Sequence, residues 1–463
     1  MYLTAPSFLF IAFPIFTAIY ALTPKSIKKQ ALAAFCLLVY MLANINNPFS
    51  LIILVLTVGA VYFGTKWIDM LRGRRRGIVA AAFIAVQIGI FVFLRVLSSF
   101  GISPVGYPFG ASVWLLAAAS CIIDVKRGDA PPPTLLDAVI YISYFPVMLV
   151  GPIVKYRDSL ELFRAPEMSL EKLARGAEYF MLGFVKIFAV TLPLFDILRS
   201  SFENIEMGFG LLAIVEFTVI INICVYSAFS GYSDMASGVS LIWGIELQKN
   251  FVRPFTSASP FESVRSFMRT LYDYLRDYLF LPIVGRKKGK HRRAVAFAVC
   301  FIAASFWLRS SFWMVAFAAV CSPLLGALFI RPSGKKGSRG ATLAVRILGY
   351  ILMPVCAALF WSAAIMPNAM PDISFVATFF ESFGKPGSIA VLGSVSAEKY
   401  IFTLLIAVFA LLVSDSESKN ETVSRDGVVK IVANAVLLLL FVFAVFFIFP
   451  QYPSAAGAVP LIP

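Results

Sequence analysis

The densest set of residues able to do chemistry runs from Glu262 to Tyr278, Glu-Ser-Val-Arg-Ser-Phe-Met-Arg-Thr-Leu-Tyr-Asp-Tyr-Leu-Arg-Asp-Tyr. Arg265, Arg269, Asp273 and Arg276 recur every three or four residues, so one helix would carry them on one face. Arg269–Asp273 and Asp273–Arg276 pairs are then in reach. Phe267, Leu271, Tyr274 and Leu275 fall on the other side. One reading is a helix lying in a membrane interface with its polar face to water. The other is a cytoplasmic-side mouth whose arginines meet a phosphate-bearing donor, since guanidinium suits bidentate anion recognition. A second set is Gly231-Tyr-Ser-Asp-Met-Ala-Ser-Gly238, with Tyr232, Ser233 and Asp234 between apolar runs. Polar groups at membrane depth are costly and mark functional candidates, while Gly and Ser at such spacing also let helices approach closely. Lys186 sits inside an apolar segment, as an element of a funnel, a buried ion pair or a snorkelling side chain. The chain has one histidine, His291, among the cations of 286–293. One histidine and no CxxC pair give no metal-ligand spacing. Cys36, Cys121, Cys224, Cys300, Cys321 and Cys356 all lie in apolar stretches and read as small hydrophobes.

The elements that position these groups follow from composition. Of 463 residues, 60% are hydrophobic and 14% charged. Soluble domains are nearer half apolar and a quarter charged, so a water-soluble globule is excluded. The net charge of +15 comes from short basic runs between apolar segments. That pattern fits cytoplasmic loops against anionic lipid headgroups rather than nucleic acid. Apolar segments near 7–22, 31–46, 49–65, 77–96, 109–123, 176–195, 209–229, 295–330, 346–366, 400–413 and 430–449 are expected to cross the bilayer. At ~20 residues per crossing this makes about eleven or twelve spans. Asp124–Asp129 is expected in a cytoplasmic loop, as are 331–339 and 414–430. The loop 367–399 is expected outside. Segment 134–153 ends in Gly151-Pro152 and is expected either to cross or to turn back as a broken element. The first segment has basic residues after it, not before it, which predicts an uncleaved span with both chain termini outside. The expected organisation is a single membrane domain, with N-terminal helices over 1–245, an amphipathic cytoplasmic-side segment over 246–294 and C-terminal helices over 295–463.

An ordered series of motifs adds to this. It comprises Ala21-Leu-Thr-Pro-Lys25, Ile123-Asp-Val-Lys-Arg-Gly128, Phe145-Pro-Val-Met-Leu-Val-Gly-Pro-Ile-Val-Lys-Tyr-Arg157, Phe229-Ser-Gly-Tyr-Ser-Asp-Met-Ala236, Asn250-Phe-Val-Arg-Pro-Phe255 and Arg276-Asp-Tyr-Leu-Phe-Leu-Pro282. In this order, nearly end to end, the series resembles the membrane-bound O-acyltransferases, in the bacterial branch that includes alginate O-acetyltransferase and the membrane subunit of teichoic-acid D-alanylation. The resemblance implies an all-α ring of helices around a funnel through the membrane. It implies an acyl-CoA or acyl-carrier-protein thioester as donor, a polysaccharide hydroxyl as acceptor, and a separate envelope protein as partner. It also implies that Gly151, Pro152, Lys186, Tyr232, Ser233, Asp234, Asn250, Arg265, Arg269, Arg276, Asp277, Tyr278, Trp307 and Arg309 line or support that funnel.

The sequence departs from the family at two places. The family's histidine in the Arg-Arg-Trp-His segment falls on Met268, and the catalytic histidine of Trp-His-Gly falls on Leu308. An acidic residue expected three before Gly231 is Ala228. A hydroxyl attacking a thioester calls for a base titrating near neutrality, which imidazole supplies. Neither a thioether nor an isobutyl group accepts a proton. Asp234, Asp273 and Asp277 are the candidate substitutes. Two functions follow as expectations. One is a degenerate homologue acting as a binding, scaffold or conduit component of an envelope O-acylation system in the bacterial inner membrane. The other is an active O-acyltransferase with a different base.

Overall fold

The computed structural model describes residues 8–99, 107–164, 166–203, 211–252, 260–285, 289–308, 315–316, 318–322, 397–419 and 427–451. All regular structure among them is helical. In chain order the helices are α1 (Phe13–Leu22), α2 (Lys28–Ala43), α3 (Pro48–Met70), α4 (Gly73–Ser99), α5 (Ala111–Arg127), α6 (Leu135–Ser143), α7 (Tyr156–Leu162), α8 (Leu170–Val185), α9 (Leu192–Glu203), α10 (Leu211–Ile242), α11 (Pro260–Ser266), α12 (Arg269–Leu275), α13 (Leu281–Val284), α14 (Lys290–Leu308), α15 (Ala397–Lys419) and α16 (Gly427–Phe443). Among the described residues six helical stretches are long and apolar enough to cross a membrane. The chain is an all-α polytopic membrane protein. The expected crossing near 346–366 and the loops at 331–339 and 367–399 lie outside the described residues.

Helices α8 and α10 form the central contact. Gly176 and Gly183 on α8 oppose Gly238 and Gly231 on α10. A Cβ on Gly183 would sit 2.4 Å from the Gly231 carbonyl oxygen, and one on Gly238 would sit 2.6 Å from the Gly176 carbonyl oxygen. Backbone therefore meets backbone, the packing that small residues permit where lipid leaves no hydrophobic drive between helices. Lys186 opens a wide π-type turn, Lys186–Thr191, that joins α8 to α9. Its Nζ lies 2.5 Å from Asp234 Oδ2 on α10 and 5.6 Å from the centre of the Tyr226 ring. The segment 231–238 thus supplies both a packing seam and a polar contact.

The N-terminal helices wrap this pair through aromatic contacts. The Trp243 ring packs against Phe13, Phe16, Phe35 and Phe145, and its Nε1 donates to Thr17 Oγ1 at 3.0 Å. On the opposite side α16 reaches α8, with Asn434 Nδ2 donating to Glu178 Oε1 at 2.6 Å. Cys36, Cys121 and Cys224 are buried and unlinked, and Cys300 and Cys321 are partly buried and unlinked.

One open alternative is decided and two expectations are corrected in detail. Segment 134–153 is helical only to Ser143, passes through a 3₁₀ turn at Phe145–Val147, and then runs without regular structure to Lys155. It is a broken element, too short to cross as a helix. The expected loop 414–430 begins later, because α15 continues to Lys419. Helix α14 starts at Lys290, inside the amphipathic segment. Asp124 is not in a loop: it is fully buried in the last turn of α5, which ends at Gly128 with a left-handed φ of 83°.

Gly183→Ala is expected to lower the thermal midpoint of the detergent-solubilised protein, because backbone at 2.4 Å cannot yield as a side chain does. Overpacking of this kind costs about 1–3 kcal/mol. An unchanged midpoint in a thermal scan would show that the seam is loose.

Candidate functional site

The 262–278 segment is not the single helix its spacing suggests. It breaks at Phe267–Met268, and Met268 takes a left-handed φ of 56° between α11 and α12. A side chain in that region is costly and persists only where its surroundings impose it. Asn250 imposes it. The Arg269 N–H donates to the Asn250 carbonyl at 2.7 Å. The Thr270 N–H and Oγ1 donate to Asn250 Oδ1 at 3.3 and 2.6 Å. The Ile153 N–H, just after Gly151-Pro152, donates to Thr270 Oγ1 at 2.9 Å, and Asn250 Nδ2 donates to the Val150 carbonyl at 3.4 Å. Gly151, Pro152, Asn250 and Met268 are thereby brought together from three distant parts of the chain. The break leaves Arg265 exposed on a separate helix, its guanidinium 5.9 Å from the Tyr272 ring centre. Arg269 and Arg276 keep the expected register with Asp273, at 3.9 and 2.9 Å.

After α12 a second π-type turn, Arg276–Phe280, turns Asp277 and Tyr278 inward. Asp277 receives Lys155 Nζ at 2.6 Å, Arg157 Nη2 at 2.7 Å and Arg276 Nε at 2.8 Å. Burial works to raise its pKa, but the hydrogen bonds and charges of Arg276 and Lys155 outweigh it and hold the carboxyl at about 2. Tyr278 Oη donates to Asp124 Oδ1 at 2.8 Å and lies 2.9 Å from Ser120 Oγ.

The wall facing this segment is α5, through four positions spaced by four. Ser112, Leu116, Ser120 and Asp124 share one helical face. The Tyr274 hydroxyl donates to the Leu116 carbonyl at 2.9 Å. Ser120 Oγ accepts the Tyr156 N–H at 2.9 Å, and Asp124 Oδ2 accepts the Arg157 N–H at 3.0 Å. At the far end the Trp307 Nε1–H donates to the Ser112 carbonyl at 2.8 Å. Arg95, buried in α4, donates from Nη2 to Ser112 Oγ at 2.8 Å and to the Trp307 carbonyl at 2.7 Å. Its guanidinium lies 4.6 Å from the Tyr107 ring centre.

Met268 and Leu308 are 3% and 8% exposed and belong to one continuous apolar cluster that also holds Trp307, Phe229 and Tyr232. A cavity of about 20 Å³ lies nearby, lined by apolar and aromatic side chains including Val113, Trp114, Met148 and Phe163. A smaller one of about 10 Å³ touches Pro152 and Thr270. Each is large enough for only a water or two. Asp234 lies with Lys186 on the α8–α10 seam, and Ser233 is buried beside it. His291 is exposed at the start of α14. Arg309 lies outside the described residues.

Residues 82–321 match the model of MBOAT, the membrane-bound O-acyltransferase family. The chain belongs to this family. Relatives of this MBOAT protein include a probable alginate O-acetylase of Pseudomonas putida, 30% identical over 301 residues that cover 61% of this chain and 61% of that one. A peptidoglycan O-acetyltransferase of Helicobacter pylori is 24% identical over 192 residues, 38% of this chain and 35% of the relative. A teichoic acid D-alanyltransferase of Streptococcus thermophilus is 24% identical over 221 residues, 45% of this chain and 53% of the relative. The chain spans about three-fifths of the length of the first of these relatives.

Sequence reasoning did not single out Arg95, Ser112 or Ser120, and it placed Asp124 only in a motif and an expected loop. The signal was present as Ser112, Ser120 and Asp124, spaced by eight and four on an otherwise apolar helix, with a lone arginine in a neighbouring span.

Asp277→Asn is expected to destabilise the protein by about 3–5 kcal/mol near neutral pH, the cost of removing one partner from buried charges. The folded pKa of about 2 lies below the unfolded value of about 3.9. The stabilisation is therefore complete above pH ~4 and is lost as pH falls towards ~2. Thermal scans between pH 7 and 2 should show wild type and variant converging in that window, and a constant gap would contradict the assignment.

Proposed function

We propose that this chain is the membrane component of a cell-envelope polysaccharide O-acylation system in the bacterial inner membrane, with both termini outside. In this reading it binds donor, polymer or partner protein as a scaffold or conduit and does not turn over by the family's imidazole mechanism. The observation that carries the reading is the pair Met268 and Leu308. They stand where the family's two histidines fall, and both are buried in apolar surroundings. The candidate replacement bases support it further. Asp277 is held by three cations at a pKa of about 2, far from the near-neutral value that general-base catalysis favours. Asp273 pairs with Arg276 and Asp234 with Lys186.

The donor is an acyl-CoA or acyl-carrier thioester approaching from the cytoplasmic side, where Arg269, Arg276, Lys155 and Arg157 gather. The polymer class follows the relatives, whose names specify alginate, peptidoglycan and teichoic acid. The charge alternation of the loops supports the orientation.

The purified protein supplied with acetyl-CoA is expected to give no donor hydrolysis or transfer above background. The double variant Met268→His, Leu308→His is expected to raise donor hydrolysis by roughly a hundredfold or more, the usual contribution of a positioned base. Wild-type turnover that survives Met268→Ala and Leu308→Ala but vanishes in Asp234→Asn would replace this reading with an active enzyme using a different base.

A further inference from the structure

The tip of the α3–α4 hairpin carries a cluster of cations that the proposed function does not employ. Helix α3 ends at Met70, and α4 begins at Gly73 after only Leu71 and Arg72. Gly73 has a left-handed φ of 60° that makes so short a reversal accessible. Arg72, Arg74 and Arg75 project into the exposed zone. Arg76 instead turns inward, donating to the Val125 carbonyl at 2.7 Å and lying 3.6 Å from Asp69. That bond draws the end of α5 alongside, and with it the exposed Lys126. The acids at this end are engaged: Asp69 faces Arg76, and Asp129 faces Arg157 at 3.8 Å. The outer surface therefore keeps an excess of positive charge.

Along the hairpin from these cations large apolar side chains are exposed around Lys66, whose Nζ turns to the Tyr62 hydroxyl. Phe63, Trp67, Met70 and Ile78 are 70%, 54%, 78% and 58% exposed. Trp67 rests edge-on against Phe83 across the hairpin. Both helices are long and apolar enough to cross a membrane, so this face meets hydrocarbon while the arginines stand at headgroup depth. The two helices are also held tightly: a Cβ on Gly64 would come within 2.9 Å of the Phe83 ring. The crown of cations is therefore fixed over the apolar face as one surface.

We infer that the hairpin tip, through Arg72, Arg74, Arg75 and Lys126, is a binding site for an anionic phospholipid, with its phosphate on the guanidinium groups and its acyl chains along Phe63, Trp67 and Ile78. Guanidinium takes phosphate oxygens in bidentate fashion, and Trp is favoured at the level of the headgroups. An acidic carrier protein would also suit the charge. It would leave the adjoining apolar face without a role, so the combination of crown and face favours a lipid.

The test uses the full-length protein in detergent, titrated with phosphatidylglycerol or phosphatidylcholine and read by native mass spectrometry. Wild type is expected to retain phosphatidylglycerol over phosphatidylcholine. Each cation removed should weaken phosphatidylglycerol binding about fivefold, so Arg72→Gln, Arg74→Gln, Arg75→Gln together should lower it far more than any one alone, with phosphatidylcholine unchanged. Because loss of three loop cations can disturb insertion, Arg74→Gln is measured separately and should show the single fivefold step. Equal retention of the two lipids by wild type, or unchanged phosphatidylglycerol binding in Arg74→Gln and in the triple variant, overturns the proposal. So does a triple variant that keeps the lipid but no longer binds an acidic acyl carrier protein. None of these outcomes depends on acyl-transfer activity.

Discussion

A carboxylate shared by three cations is the contact on which the packing of the 147–157 and 269–280 segments rests. Asp277 gathers Lys155 and Arg157 from the chain after the broken 134–153 element and Arg276 from its own turn. Polar groups removed from water must be paired within the protein, and here one buried acid pairs with cations supplied by two parts of the chain far apart in sequence. Tyr278, the next residue, then locks onto Ser120 and Asp124. The irregular backbone from Met148 to Lys155 is tolerated because it is packed in protein, with the Ile153 N–H taken up by Thr270 and the Val150 carbonyl by Asn250.

Helix α5 extends that logic across the molecule. Its face at 112, 116, 120 and 124 meets Trp307, Tyr274 and Tyr278 in turn. Met268 and Leu308 are thus attached to one rigid element, Leu308 through its neighbour Trp307 and Met268 through α12. The side chains at both positions are apolar and buried in the same core cluster.

The central α8–α10 pair answers a different constraint. In lipid, helix association gains from close packing rather than from hydrophobic burial, and glycines spaced by seven on both helices give that packing. The Lys186–Asp234 pair lies on the same seam. Replacing either member alone would strand a charge at membrane depth, so seam and ion pair constrain each other.

Much of the fold was legible in the sequence. The apolar runs and the basic loops between them require an all-α membrane protein, because a backbone in lipid satisfies its own hydrogen bonds only in helices or closed barrels. The ordered motifs specified the family, and the residue types at 268 and 308 were legible without coordinates. The rest was decided in three dimensions. The regular spacing of Arg265, Arg269, Asp273 and Arg276 predicts one helix, yet Asn250, far away in sequence, imposes a left-handed turn at Met268. Asp124 reads as a loop residue until Tyr278 and Arg157 reach it. Local spacing records only what a segment would do alone. Which buried polar group finds which partner depends on atoms brought close by the folded chain, and in a low-dielectric interior those pairings outweigh local preference.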